Sequence, residues 1–188
     1  MKTPHMKEAE LVLFKNTIQN TSNYFEFGVG GSTRFVYDET LATIRGVDSS
    51  KEWVGKVSKH ICSDRVSLHC VNIGEVREWG FPRNEDYKHE WPNYSLYIKK
   101  TDITPDTILV DGRFRVACLI QSILFSIERD IDPTIILHDS NRDYYTPGTR
   151  ALTCIDRAET LSIFKINRDN ICLYELRNTW CEFKFNYE

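Results

Sequence analysis

Five short apolar runs, each stopped by a glycine, an acid or a histidine, constrain this chain more than any other feature. Tyr24 to Phe27 stops at Gly28, Leu41 to Val47 at Asp48, and Val66 to Ile73 at Gly74. Thr107 to Val110 stops at Asp111, and Thr134 to Leu137 at His138 and Asp139. Continuous apolar runs of this length read as strands covered on both faces. Helical patterns alternate with them. Glu8 to Gln19 has apolar residues at 9, 11, 12, 14 and 18; Ser32 and Thr33 open a second helix; Ser49 and Ser50 cap a third reaching Ile61; Arg115 to Glu128 is a strongly apolar fourth. This rhythm predicts an α/β fold, a Rossmann-like doubly wound parallel sheet with helices on both faces. With 188 residues and no linker or repeat, residues 1–188 read as one domain.

Two regions depart from the rhythm. A helix fits 148–158, and Leu161 to Asn167 and Ile171 to Arg177 then read as strands. The three polar residues between them are too few for a crossover, so they predict a C-terminal antiparallel hairpin. Cys181, Phe183, Phe185 and Tyr187 alternate with polar residues, which predicts an extra edge strand. Residues 75–105 form an insert carrying Trp79, Phe81, Tyr87, Trp91, Tyr94 and Tyr97. A segment so long is usually functional, and its aromatic content argues against disorder.

A net charge of −3 offers no basic footprint, so no nucleic-acid partner is expected. Val116 to Ile127 is uncharged but too short to span a bilayer, so no membrane association is expected. Lys2 and Lys7 are followed by no apolar core, which implies no secretory leader and a cytoplasmic location. Six cysteines at 62, 70, 118, 154, 172 and 181 form no C-x-x-C pair and read as reduced core thiols, with Cys118 and Cys172 inside apolar runs.

The glycine turn, Glu26-Phe27-Gly28-Val29-Gly30-Gly31-Ser32, lies between a strand and a helix, where a ligand can approach the backbone. A dinucleotide fingerprint would need glycine at position 33, which is threonine. Asp48, twenty residues after Gly28, suits the hydroxyls of a ribose in either a dinucleotide or another nucleoside cofactor. Glu26 disfavours a pyrophosphate at the strand tip.

The Glu26 to Ser32 turn resembles motif I of the class I S-adenosylmethionine-dependent methyltransferases, with Ser32 where a third glycine is common. Val110-Asp111-Gly112 and Leu137-His138-Asp139 resemble the fourth and fifth strand ends of that superfamily's small-molecule enzymes. The blocks Glu26 to Thr33, Trp79 to Pro82 and Val110 to Cys118 look like a group of methyltransferase-like proteins. The resemblance implies S-adenosylmethionine as cofactor and a strand order of 3-2-1-4-5-7-6. By carry-over, Glu26, Gly28, Gly30, Gly31 and Ser32 line the methionine end, Asp48 meets the ribose, and Asn72 and Ile73 meet the adenine.

Ligands of open α/β sheets sit at the carboxyl ends of the strands, which makes Asp111, His138 and Asp139 the candidate catalytic groups. His138 reads either as a general base or as a strand-end histidine bonded to backbone. Asp111 and Asp139 read either as pocket acids or as helix caps. Ser140 interrupts the spacing of a divalent-metal site, which argues against a metal. Arg113, Arg115 and Arg142 near the same rim read either as solvated surface charge or as groups that attract an anionic acceptor, with Arg113, two residues past Asp111, suited to hold it. The insert is expected to cover the acceptor side, with Trp79, Trp91 or Tyr94 as a wall. The function that follows is methyl transfer to a small molecule. The alternatives are a nucleoside-binding protein of the same fold without turnover, and an NAD-type oxidoreductase.

Overall fold

The computed structural model describes residues 3–188. Met1 and Lys2, which open the segment read as lacking a leader, lie outside the described residues. The chain runs α1 (Glu8–Ile18), β1 (Asn23–Phe27), α2 (Gly31–Glu39), β2 (Thr43–Asp48), α3 (Lys51–His60), β3 (Val66–Cys70), α4 (Pro92–Leu96), β4 (Thr107–Val110), α5 (Arg115–Glu128), β5 (Thr134–Leu137), α6 (Thr146–Thr149), β6 (Leu152–Ala158), β7 (Leu161–Ile166) and α7 (Leu173–Phe183). The strands form one seven-stranded sheet in the order β3-β2-β1-β4-β5-β7-β6. The first five are mutually parallel, and β7 is antiparallel to both β5 and β6.

Strand periodicity divides the core into two layers. Phe25, Phe27, Ile108, Val110, Ile135 and Leu137 point to the layer that holds α5. Tyr24, Leu109 and Ile136 point to the other, against Phe14 and Ile18 of α1 and Val36 of α2. The central helix α5 is buried from Arg115 to Ser126. Two of its polar side chains are satisfied along the helix: Ser122 and Ser126 donate to the carbonyls of Cys118 and Ser122 at 2.8 and 2.7 Å. No helix among the described residues is long and apolar enough to cross a membrane.

The C-terminal hairpin exists, but one strand earlier than expected. Residues 152–158, read as part of a helix, are β6, and the hairpin turns at Glu159 (φ 50°) and Thr160. Residues 173–183, read as the hairpin's second strand and part of an extra edge strand, are α7. Leu176, Trp180 and Phe183 are spaced i, i+4, i+7, and this stripe packs into the α5 layer. The alternation at 181–187 is therefore a helical stripe running into a tail, and there is no added edge strand among the described residues.

The insert folds as packed structure. Val76 and Pro82 form an isolated antiparallel bridge. Trp91 and Tyr94 are fully buried beside Phe114, with ring centroids at 5.8 and 5.4 Å. Among the six cysteines only Cys118 is buried; Cys172 stands exposed at the start of α7, and all six are free thiols.

Candidate functional site

The glycine turn is assembled from below. Gly28 has φ +94°, and a Cβ there would lie 2.6 Å from Gly112 Cα, so the tips of β1 and β4 touch through two glycines. Glu26, on the face of β1 that Tyr24 shares, is wholly buried under the turn. Its carboxyl accepts from Tyr24 Oη at 3.2 Å, Ser32 Oγ at 2.9 Å and Thr33 Oγ1. Thr33 Oγ1 in turn accepts from the Gly30 N–H at 2.8 Å. Burial outweighs these three donors and pushes Glu26 up to about 8. Glu26 and Ser32, expected at the methionine end of a cofactor, thus hold the turn's shape from beneath.

Asp48, at the end of β2, accepts from the N–H groups of Val29 at 3.1 Å and Ser50 at 2.8 Å. It ties the second strand to the glycine turn and stays partly exposed; burial raises its pKa to about 6 against those hydrogen bonds. Trp53 of α3 donates its indole N–H to the Val29 carbonyl at 2.6 Å. A Cβ on Gly30 would meet that indole nitrogen at an ordinary 3.5 Å, so Gly30 presents open backbone. Gly31 does not: Pro4 Cα lies 2.9 Å from where its Cβ would be, and the Thr3 carbonyl is closer still.

The second part of the site stands at the tips of β4 and β5. Asp111, His138 and Asp139 offer donor atoms all within 4.8 Å of one another. His138 Nδ1 lies 3.1 Å from Asp111 Oδ1, and Nε2 lies 3.5 Å from Glu10 Oε2 of α1. Arg115 lies 3.3 Å from Asp111 and 3.1 Å from Asp139, and Arg142 binds Asp139 at 3.0 Å. Burial opposes the charged imidazole, but Asp111, Asp139 and Glu10 together raise the pKa of His138. Burial opposes the charge of Asp111 too, but the hydrogen bond from His138 and the charges of Arg115, His138 and Arg113 hold its pKa below the ordinary value. His138 is hydrogen-bonded to Asp111 through Nδ1, while Nε2 is buried with no hydrogen-bond partner among the described residues. Asp111 and Asp139 keep 29% and 28% of their side-chain surface exposed and are the members that a ligand can touch.

The residues expected to meet an adenine follow β3. Asn72 is exposed, and its side-chain oxygen accepts from the Gly74 N–H at 3.1 Å. Ile73 is in the core, and its carbonyl accepts from the Trp91 indole. Both lie beyond β3, which ends at Cys70. Trp91 and Tyr94 are core fillers, whereas Trp79 is 72% exposed and left-handed at φ 61°. A cleft of about 380 Å³ adjoins Arg142 and is lined by Ser140, Asn141, Tyr145, Thr146 and Arg157. A hollow of about 470 Å³ between Gln19–Ser22 and Asp38–Leu41 lies at the opposite, amino-terminal edge of the sheet.

Sequence reasoning missed Glu10, Thr33 and Trp53 as members of the site; Arg115 and Arg142 were placed at its rim, and the structure pairs them with Asp111 and Asp139. Thr33 carried a signal, being a hydroxyl seven residues after a buried acid. Glu10 carried its own: it falls on the 10, 14, 18 stripe that α1 buries.

No protein-family model matches the sequence, and no curated protein matches it. Solved structures do. A methyltransferase-like protein from Silicibacter pomeroyi superposes with a TM-score of 0.86 at 24% identity, over 98% of both chains. The Escherichia coli protein YhhF, a candidate methyltransferase, gives 0.53 at 10% identity over 87% of this chain and 89% of its own. A candidate tRNA (m1A22) methyltransferase from Streptococcus pneumoniae, solved with S-adenosyl-L-methionine, gives 0.52 at 10% identity over 92% and 78%. With its strand order and terminal hairpin, the chain has the fold of the class I S-adenosylmethionine-dependent methyltransferases.

Proposed function

We propose that this chain binds S-adenosylmethionine at its glycine turn and transfers the methyl group to a small-molecule acceptor. The observation that carries the reading is the Val29 N–H to Asp48 hydrogen bond, which joins the turn after β1 and the acid that ends β2 into one unit at the carboxyl edge of the sheet. The residues fit a nucleoside cofactor there. Gly30 leaves backbone open, and Asp48 is a partly exposed acceptor at the ribose position. A bound cofactor supplies a sulfonium methyl that needs alignment and exclusion of water more than acid or base assistance.

The protein's own contribution is positional. Arg115 and Arg142 fix Asp139, and Arg115 and His138 fix Asp111. Asp139 is the group proposed to take a proton from a hydroxyl or amine acceptor, a step typically worth about 10²–10⁴-fold. His138 acts as a positioning residue. The cleft beside Arg142, at about 380 Å³, is of the size that holds a small ligand, and the net charge of −3 favours such a ligand over RNA.

A second reading, nucleoside binding without turnover, draws on the tightly packed turn, where Thr3 and Pro4 lie against Gly31. A thermal-shift panel tests the first step. S-adenosylmethionine and S-adenosylhomocysteine at about 100 times Kd should each stabilise the protein by about 2.7 kcal/mol, and NAD should not. Stabilisation by NAD alone, or by none of the three, overturns the proposal. A methyl-transfer assay on small acids, phenols, amines and RNA then separates turnover from binding.

A further inference from the structure

Arg113, beside Asp111, takes no part in the ion-pair network among the described residues. It follows Asp111 and Gly112 at the tip of β4, immediately before Phe114, whose φ of 57° turns the chain into α5. The residue is 7% exposed, yet Nε and Nη1 are buried without a hydrogen-bond partner among the described residues. Its guanidinium lies 4.1 Å from the Phe81 ring centroid, so one face is covered by the insert. Gly80 closes over its stem, since a Cβ there would lie 3.8 Å from Arg113 Cγ.

The surrounding charges do not satisfy it. Arg115 opposes its charge, and burial lowers its pKa. Asp48, Asp111 and Glu188 attract it at longer range, but none forms an ion pair with it. A buried guanidinium with free donors is costly to keep unless something completes it. Guanidinium is also the side chain best matched to a carboxylate or phosphate.

We propose that Arg113 is the subsite for an oxyanion carried by the methyl acceptor, a carboxylate or a phosphate group. The assignment rests on the methyltransferase reading and narrows it to acidic acceptors. Phe81 holds the guanidinium plane, and its unpartnered nitrogens bind the oxyanion two residues from Asp111.

The test uses the full chain, the variants Arg113→Met and Arg113→Lys, and two probes, sodium formate and inorganic phosphate, titrated against chloride at constant ionic strength. At least one probe should raise the wild-type melting temperature saturably, by about 3 °C at ten times its Kd. It should leave Arg113→Met unmoved and shift Arg113→Lys less than wild type. In chloride, Arg113→Met should melt no lower than wild type, because an unpaired buried charge has gone. Equal anion shifts in wild type and Arg113→Met, or no shift in wild type, overturn the subsite. If Arg113→Met fails to fold, the Lys variant decides: an anion response equal to wild type overturns the proposal.

Calorimetry with S-adenosylhomocysteine and 5′-methylthioadenosine separates the two sources of a carboxylate. Arg113→Met should bind both within about threefold of wild type. A tenfold loss for S-adenosylhomocysteine alone assigns Arg113 to the cofactor and overturns the acceptor assignment. Failure of wild type to bind either nucleoside refutes the methyltransferase reading, while the anion titration still judges the subsite.

Discussion

Replacing Glu26 by Gln isolates the one fully buried carboxyl that faces no cation. In wild type the group sits under the glycine turn with three hydroxyl donors and a pKa pushed up to about 8 by burial. An acid whose folded pKa is raised binds its proton more tightly when folded. Its contribution is therefore fully present below the unfolded value of about 4.5 and is lost as pH rises through 8. The span is on the order of 5 kcal/mol. Glutamine has nearly the shape of the protonated acid and no charge to bury. At pH 5 the variant should lose about 1 kcal/mol or less, since Tyr24 and Ser32 oxygens can turn to accept from its amide. At pH 8.5 the order should reverse, with the variant more stable than wild type. Urea unfolding at half-unit pH steps measures the difference directly. Parallel stability curves from pH 5 to 8.5 would refute the reasoning and mean that the three hydroxyls, not burial, set the charge state.

Gly28→Ala should lose about 3 kcal/mol or more in urea, because a methyl would strike Gly112 backbone at 2.6 Å from a left-handed φ; a loss under about 1 kcal/mol would contradict the packed contact of β1 and β4. Trp79→Gly should be neutral or stabilising by up to about 1 kcal/mol, since the side chain is 72% exposed and φ is 61°; a large loss would show that the indole packs. Glu10, buried, has its pKa held down to about 2, burial being outweighed by hydrogen bonds from Thr160 and Lys7 and the charge of His138. Its stabilisation is present above about 4.5 and lost as pH falls toward 2, so Glu10→Gln should flatten the acid limb by about 3 kcal/mol.

The parallel half of the fold was legible chiefly in β1, β4 and β5, which are buried on both faces and stop at glycine, acid or histidine, whereas β3 is half-exposed and ends at Cys70, short of Ile73. Thr107 to Val110, Thr134 to Leu137 and Arg115 to Glu128 match the observed elements residue for residue. The end of the chain was not. Leu176, Trp180 and Phe183 satisfy a helical stripe, while Cys181, Phe183, Phe185 and Tyr187 satisfy a strand, and only packing against α5 chooses between them. In the site, Asp111, His138 and Asp139 came together because neighbouring parallel strands end at one edge. The partners Arg115, Arg142 and Glu10 arrive from separate helices and loops, and no spacing in the sequence links residue 10 to residue 138. Glu26 was misread for a related reason: an acid at a strand tip can point up to a ligand or down into the turn. The hydroxyls of Ser32 and Thr33 draw it down.

The most direct test of cofactor binding at the glycine turn is calorimetric titration of S-adenosylhomocysteine into wild type and Gly30→Val. Gly30 has an extended backbone that valine can adopt, and its Cβ would make ordinary contact with Trp53. The variant should therefore fold while its side chain fills the surface offered to the ligand. Saturable binding to wild type, weakened at least about tenfold by Gly30→Val at unchanged melting temperature, is the expected result. Equal affinity in the two proteins, or no binding to wild type, would contradict it.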